Sequence, residues 1–308
     1  MDLYFDKELY MDQCSLFFNF LLRKKQWSGI NQADYIRWMN NFDDIEDGQY
    51  IGQRILNFLL YYSEDDLLKM LDDTIMSIFE KEIVLPLQLS KVFSALPSEI
   101  EYAVSEAMQS TVVIPIIEDF ADPGASGPEV TRYVRNHFNP QLQLTFSDRL
   151  LPDAKYDKLI IVDDCIGSGE QFSTFWKEAQ ISNGSLLRTW VKTHNVSAFL
   201  IALVGYKETV ERLQDDFSDI SIICAEYISS QHEVFSPMST CWKDSTERLW
   251  AEEVLQNHMI EYEIPLKGYK ELGFAVALHK TIPDWSIPIL YKNKNGWKHF
   301  IERKTTYV

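Results

Sequence analysis

Residues 158–172 read KLIIVDDCIGSGEQF. Four apolar residues, Leu159 to Val162, run without a break into Asp163 and Asp164. The chain then passes through Gly167-Ser168-Gly169 into a stretch of helical character. An apolar run bounded by turn residues is the pattern of a strand buried on both faces, as in a parallel sheet. Paired carboxylates at its end are costly, because each raises the other's pKa unless hydroxyls, amides or a metal meet them. The carboxyl ends of parallel strands are also where open α/β sheets bind ligands. Two glycines let the backbone turn sharply, so that successive amides point into one concavity, and a helix starting near Glu170 adds its positive end. Carboxylates for vicinal hydroxyls beside amides for a phosphate describe a site for a sugar phosphate.

Outward from that stretch, TVVIPII (from Thr111), QLQLTF, SAFLIALVGY, DISIICAEY and LGFAVALHK read as further strands. PEVTRYVRNHF, EQFSTFWKEAQ and KETVERLQDDF read as helices between them, the first with Pro128 near its opening turn. Apolar strands alternating with helices of about ten residues predict an α/β fold, a parallel, doubly wound sheet covered on both faces. A loop and one helix inserted near residues 229–265 interrupt the rhythm before the last strand, LGFAVALHK, and a proline-punctuated tail.

The first 95 residues read helical instead. ELYMDQCSLFFNFLLRKK places Leu9, Leu16, Phe20 and Leu21 at helical spacing and ends in a basic turn. Ser63 followed by Glu64, Asp65 and Asp66 is a helix start, with a capping side chain and acid in the first turn. The expected organisation is an all-helical domain over residues 1–105 and the α/β domain over residues 106–308.

Residues 158–172 resemble the signature of the type I phosphoribosyltransferases: a hydrophobic strand, two acids, a short spacer and a Thr-Gly turn. Cys165 and Ile166 fill the spacer, and Ser168 stands in the threonine's place. The resemblance implies that Asp163 and Asp164 are catalytic residues gripping the ribose hydroxyls of phosphoribosyl pyrophosphate. It implies that Ile166, Gly167, Ser168, Gly169, Glu170 and Gln171 wrap the 5′-phosphate, and that Mg2+ accompanies the ligand. Gln171 stands where the family closes its signature with Thr or Ser, one short hydroxyl donor fewer. A second loop, IIEDFADPGASGPEV, follows the first strand of the sheet, where these transferases carry their pyrophosphate loop. Gly124, Ala125, Ser126 and Gly127 would supply its amides. Glu118, Asp119 and Asp122 beside them would repel pyrophosphate unless magnesium intervenes.

The tail narrows the resemblance. LHKTIPDWSIPIL and NKNGWKHFIER are similar to the ends of phosphoribosyltransferase-like proteins of bacterial conflict and anti-phage defence loci, some beside retron reverse transcriptases. Pro283, Ser286, Pro288 and Trp297 keep that pattern, whereas Asp284 and Trp285 stand where asparagines would be. Proline-bounded packing with Trp285 in the core explains the same residues. The resemblance implies an effector or accessory subunit with a ribose-phosphate or nucleotide ligand, and a protein partner in a defence complex that can include nucleic acid.

Composition removes other classes. The 308 residues are 46% hydrophobic and 24% charged, which is globular, and no run of about twenty apolar residues predicts a membrane span. A formal charge of −17 argues against the whole chain coating nucleic acid. From Lys267 onward eight Lys or Arg face three acids, either a solvated surface or one for an acidic partner. Cys14, Cys165, Cys224 and Cys241 lie far apart without a CxxC pair, which reads as free thiols in a reducing cytosol. The acidic opening MDLYFDKELYMD is unlike a secretory signal, so a cytoplasmic protein is expected. His194, His232 and His258 lack metal-ligand spacing, and no GxSxG, P-loop or GxGxxG stands in the chain. Three readings stay open: a transferase acting at ribose C1, a nucleotide sensor, and a structural subunit that keeps the fold without the chemistry.

Overall fold

The computed structural model describes residues 6–117, 127–138, 141–279 and 281–303. In chain order its helices are α1 (Lys7–Arg23), α2 (Gln32–Met39), α3 (Gly48–Phe58), α4 (Glu64–Phe79), α5 (Leu85–Ser90), α6 (Pro97–Gln109), α7 (Gly127–Phe138), α8 (Glu170–Glu178), α9 (Leu187–His194), α10 (Lys207–Asp216) and α11 (Ser245–Tyr262). The strands are β1 (Leu60–Tyr62), β2 (Thr111–Pro115), β3 (Gln143–Leu144), β4 (Lys158–Ile166), β5 (Ser197–Tyr206), β6 (Ser221–Ile228) and β7 (Val276–Leu278). No helix among the described residues is long and apolar enough to cross a membrane.

Two compact units result, and they divide the chain elsewhere than at residue 105. Met1–Leu67 joins Ile228–Thr305 in one, and Leu68–Tyr227 forms the other. The second unit holds a five-stranded sheet in the order β3-β2-β4-β5-β6. β2 pairs in parallel with both β3 and β4, and β4 in parallel with β5. Leu159 to Val162 of β4 are wholly buried. Each such aliphatic side chain contributes about 1.5–3 kcal/mol, which is why the continuous apolar run predicts a central strand. One core joins alternate residues of β2, β4 and β5 to Phe172, Phe175 and Trp176 of α8, and to Leu187, Trp190 and Val191 of α9. α7 packs on β2 and β4. The α/β architecture is the one expected.

The first unit is built from α1–α3, α11 and the tail around a core rich in aromatics. The indoles of Trp38 and Trp297 donate to the same acceptor, the carbonyl of Ile289, at 2.8 and 2.9 Å. Trp285 is buried edge-on against Phe274, and Ser286 donates to the carbonyl of Val276 at 2.7 Å. Trp285, Ser286 and Trp297 of the tail pattern thus have a packing explanation.

Two expectations are corrected. LGFAVALHK contributes β7 to a separate two-stranded parallel sheet with β1, not a last strand to the large sheet, and β1 lies inside the stretch expected to be wholly helical. α1 buries Cys14 and Phe18, with Tyr10, Leu21 and Leu22 packed beside them, whereas Leu9, Leu16 and Phe20 are exposed. Helical spacing finds apolar stripes but does not choose between two on one helix. α9 was not expected, although Leu187, Trp190 and Val191 carry the i, i+3, i+4 spacing of a packed face.

Candidate functional site

The chain leaves β2 for β3 at one edge of the sheet, then returns to β4 on the other side of β2. Strand order therefore reverses between β2 and β4, and the crevice beyond their carboxyl ends is where an open α/β sheet takes ligands. Pro115 pairs with Val162, and the amide of Ile116 donates to the carbonyl of Val162 at 3.2 Å. The segment following β2 thus departs immediately beside Asp163.

Asp163 is 2% exposed and in register with Ala202 of β5. Its carboxylate accepts the backbone N–H of Asp164 at 2.9 Å. Asp164 is half-buried. Alternation along a strand sends the two side chains to opposite faces. Asp163 follows Leu159 and Ile161 toward the α8 and α9 side, and Asp164 follows Ile160 and Val162. The pair is unequal: Asp164 is the more accessible carboxylate, and Asp163 lies behind it holding its amide.

The turn that follows is clamped from below. Ile166 and Gly167 are buried, and Ser168 is half-buried. The hydroxyl of Ser168 accepts the N–H of Glu170 at 3.4 Å, and its carbonyl accepts from the guanidinium of Arg212 on α10 at 2.8 Å. Gly169 has φ of +76°, in the left-handed region that costs other residues energy. A Cβ there would stand 2.8 Å from both Leu213 Cδ1 and Thr209 Cγ2. Glycine is required twice, for the backbone and for the close approach of α10. α8 begins at the next residue, Glu170, so its first-turn amides front the turn. Glu170 is exposed and Gln171 half-buried.

α8 is fixed in turn by Asp219, which precedes β6. Its carboxylate accepts from Trp176 Nε1 at 3.3 Å, from Arg188 Nε at 2.5 Å and from a second Arg188 nitrogen at 3.0 Å, and it pairs with Lys192 at 3.2 Å. Burial works to raise its pKa, but the Arg188, Trp176 and Lys192 hydrogen bonds outweigh that and hold it at about 2. Neither Arg212 nor Asp219 was singled out from the sequence; they lie 44 and 43 residues from the groups they hold, Ser168 and Trp176.

Gly124, Ala125 and Ser126 lie outside the described residues, and Gly127 opens α7. Arg149 and Lys155, on the connection between β3 and β4, are exposed, the Arg149 guanidinium lying over the ring of Phe146. Among the described residues no three His, Cys, Asp or Glu side chains converge as a metal cage. A carboxylate beside a turn of backbone amides would fit magnesium where a ligand's own oxygens and water complete its shell. The pattern residues of the tail, Ser286 and Trp297, belong to the core of the other unit.

Solved structures with some likeness include the AQ2163 protein from Aquifex aeolicus, with a TM-score of 0.28 and 14% identity, covering 40% of this chain and 56% of that one. Another is an orotate phosphoribosyltransferase from Aeropyrum pernix, with a TM-score of 0.25 and 15% identity, covering 41% of this chain and 72% of that one. No curated protein matches. The family model described as PRTase-CE matches residues 35–303, nearly the whole chain. This phosphoribosyltransferase-like chain, with its acid pair at a strand-order reversal, belongs to the PRTase-CE family.

Proposed function

We propose that the crevice beyond β4 binds phosphoribosyl pyrophosphate or a related ribose phosphate together with Mg2+, within an effector or accessory subunit of a bacterial anti-phage defence system. The observation that carries this reading is the placement of Asp163, Asp164 and the Gly167–Gly169 turn where, among the described strands, the order reverses. Asp164 takes the ribose hydroxyls, with Asp163 fixing its backbone. The turn from Ile166 to Gln171 takes the 5′-phosphate, and Gly124 to Gly127 take the pyrophosphate end. Magnesium, when bound, would offset the pyrophosphate charge with Asp164 among its ligands. Chemistry at ribose C1 would pass through an oxocarbenium-like transition state, stabilised by the Asp164 carboxylate and the amides of the turn.

A second reading, a sensor that binds the ligand without turning it over, is favoured by two observations. Asp163 is almost wholly covered, and Gln171 replaces a short hydroxyl. Titration calorimetry with phosphoribosyl pyrophosphate and Mg2+ tests the shared claim. Binding should be lost, by at least a hundredfold, in the Asp163→Asn/Asp164→Asn double variant with its melting temperature kept near that of the parent. Unchanged affinity in that variant would sink both readings. Pyrophosphate release, measured with and without Mg2+, separates transferase from sensor.

A further inference from the structure

The connection between α5 and α6 presents an apolar surface that neither unit's core uses. Leu85 and Leu89 on α5, then Val92, Phe93 and Leu96 in the connection, are all exposed, Val92 by 85% and Phe93 by 68%. Leu85, Leu89 and Val92 are spaced i, i+4, i+7, so the stripe continues off the helix end. The turn holding Val92 is a Schellman motif. The amide of Phe93 donates to the carbonyl of Gln88 at 2.6 Å, and that of Val92 to the carbonyl of Leu89 at 3.2 Å. Its left-handed position belongs by preference to glycine, yet valine occupies it at φ +52°, followed by Phe93 at φ +59°. Two bulky apolar residues are therefore kept in an unfavourable backbone region with their side chains in water. Strain of that kind concentrates at functional surfaces.

The charges around this tip select the occupant. Glu82 and Glu101 are exposed on the flanking segments, against Lys81 alone, since Lys91 is paired with Glu99. Acidic residues on the segments flanking the tip, in a chain of net charge −17, disfavour anionic lipid, nucleic acid and the same tip of a second copy. We propose that the α5–α6 tip is the docking surface for a different protein, one that offers an apolar pocket rimmed by Lys and Arg. This surface is independent of the ribose-phosphate crevice.

The test places a p-benzoylphenylalanine photocrosslinker at Leu89 in the full-length chain, in the cells that make it, and maps the adducts by mass spectrometry. The expected result is one protein adduct on a peptide bordered by Lys and Arg. Its yield should fall at least tenfold in Val92→Gly and in a Glu82→Lys/Glu101→Lys variant, and should fall with added salt. Val92→Gly should not lower the melting temperature, so that loss of the adduct cannot be assigned to unfolding. A dominant adduct to a second copy, an adduct to lipid, an adduct insensitive to these variants, or no adduct would overturn the proposal.

Discussion

Gly169 and Val92 occupy the same region of backbone space at opposite ends of helices, one at the start of α8 and one just past the end of α5. At Gly169 local chemistry and tertiary packing agree: the left-handed turn suits glycine, and α10 leaves no room for a Cβ. At Val92 they disagree, because the turn asks for glycine, nothing crowds the position, and a β-branched residue stands in water. A left-handed glycine inside a packed turn is explained by the fold alone. A left-handed valine is not, and the docking proposed at the α5–α6 tip would supply its reason. The β4 crevice is a place where the sequence obeys local rules, and the α5–α6 tip a place where it breaks one.

The most damaging way to break the comparison is Gly169→Ala. A Cβ meets two α10 side chains at 2.8 Å. Left-handed strain of about 1 kcal/mol adds to overpacking of about 1–3 kcal/mol, a destabilisation of about 2–4 kcal/mol. Because Arg212 ties α10 to the carbonyl of Ser168, the displaced helix would also pull on the Gly167–Gly169 turn. Urea denaturation gives the first effect and ligand calorimetry the second. A fully stable variant with native affinity would show that the close approach of α10 is not what shapes the turn.

Asp219→Asn sharpens the comparison by asking how much of the turn's order comes from α8. The Asp219 carboxyl has an unfolded pKa near 3.8 and a folded value of about 2. Its depressed pKa therefore adds stability that is complete above pH 4 and lost as the pH falls through 2. The shift corresponds to about 2 kcal/mol, reduced to about 1–2 kcal/mol by partial exposure of the group. In Asp219→Asn that loss should already be present at pH 7, and the parent's fall in stability between pH 4 and pH 2 should become shallower. Thermal denaturation across that range in both proteins is the measurement.

What the sequence reveals follows the same division. Ser197–Tyr206 of β5 and Lys207–Asp216 of α10 coincide with SAFLIALVGY and the body of KETVERLQDDF, because burial and periodicity there are set locally. The acid pair and its turn stand out for the same reason: nine consecutive residues carry the strand end, the bend and the helix start. Arg212 and Asp219 do not, since their partners are tens of residues away and nothing in ERLQ or FSDI marks them. β7 was misplaced because an apolar run announces a buried strand without naming its neighbour, and only the fold seats it beside Leu60–Tyr62. QLQLTF shortened to Gln143–Leu144 at the sheet edge, where one side has no ladder to extend it.

The smallest effect is the most discriminating. Val92→Gly relieves a left-handed β-branched residue, worth about 1–2 kcal/mol, and adds back about 0.5–1 kcal/mol of chain entropy to the unfolded state. Val92 is 85% exposed, so its side chain takes almost no burial energy with it. The expected net is a stabilisation of up to about 1.5 kcal/mol, a rise of up to about 2 °C in the melting temperature measured by calorimetry. A fall instead would mean that Val92 is held by packing within its own unit, and the contrast with Gly169 would reduce to two different ways of filling the same conformation. A rise leaves the valine with no structural benefit in the isolated chain, so whatever keeps it there acts through a surface that the isolated chain leaves uncovered.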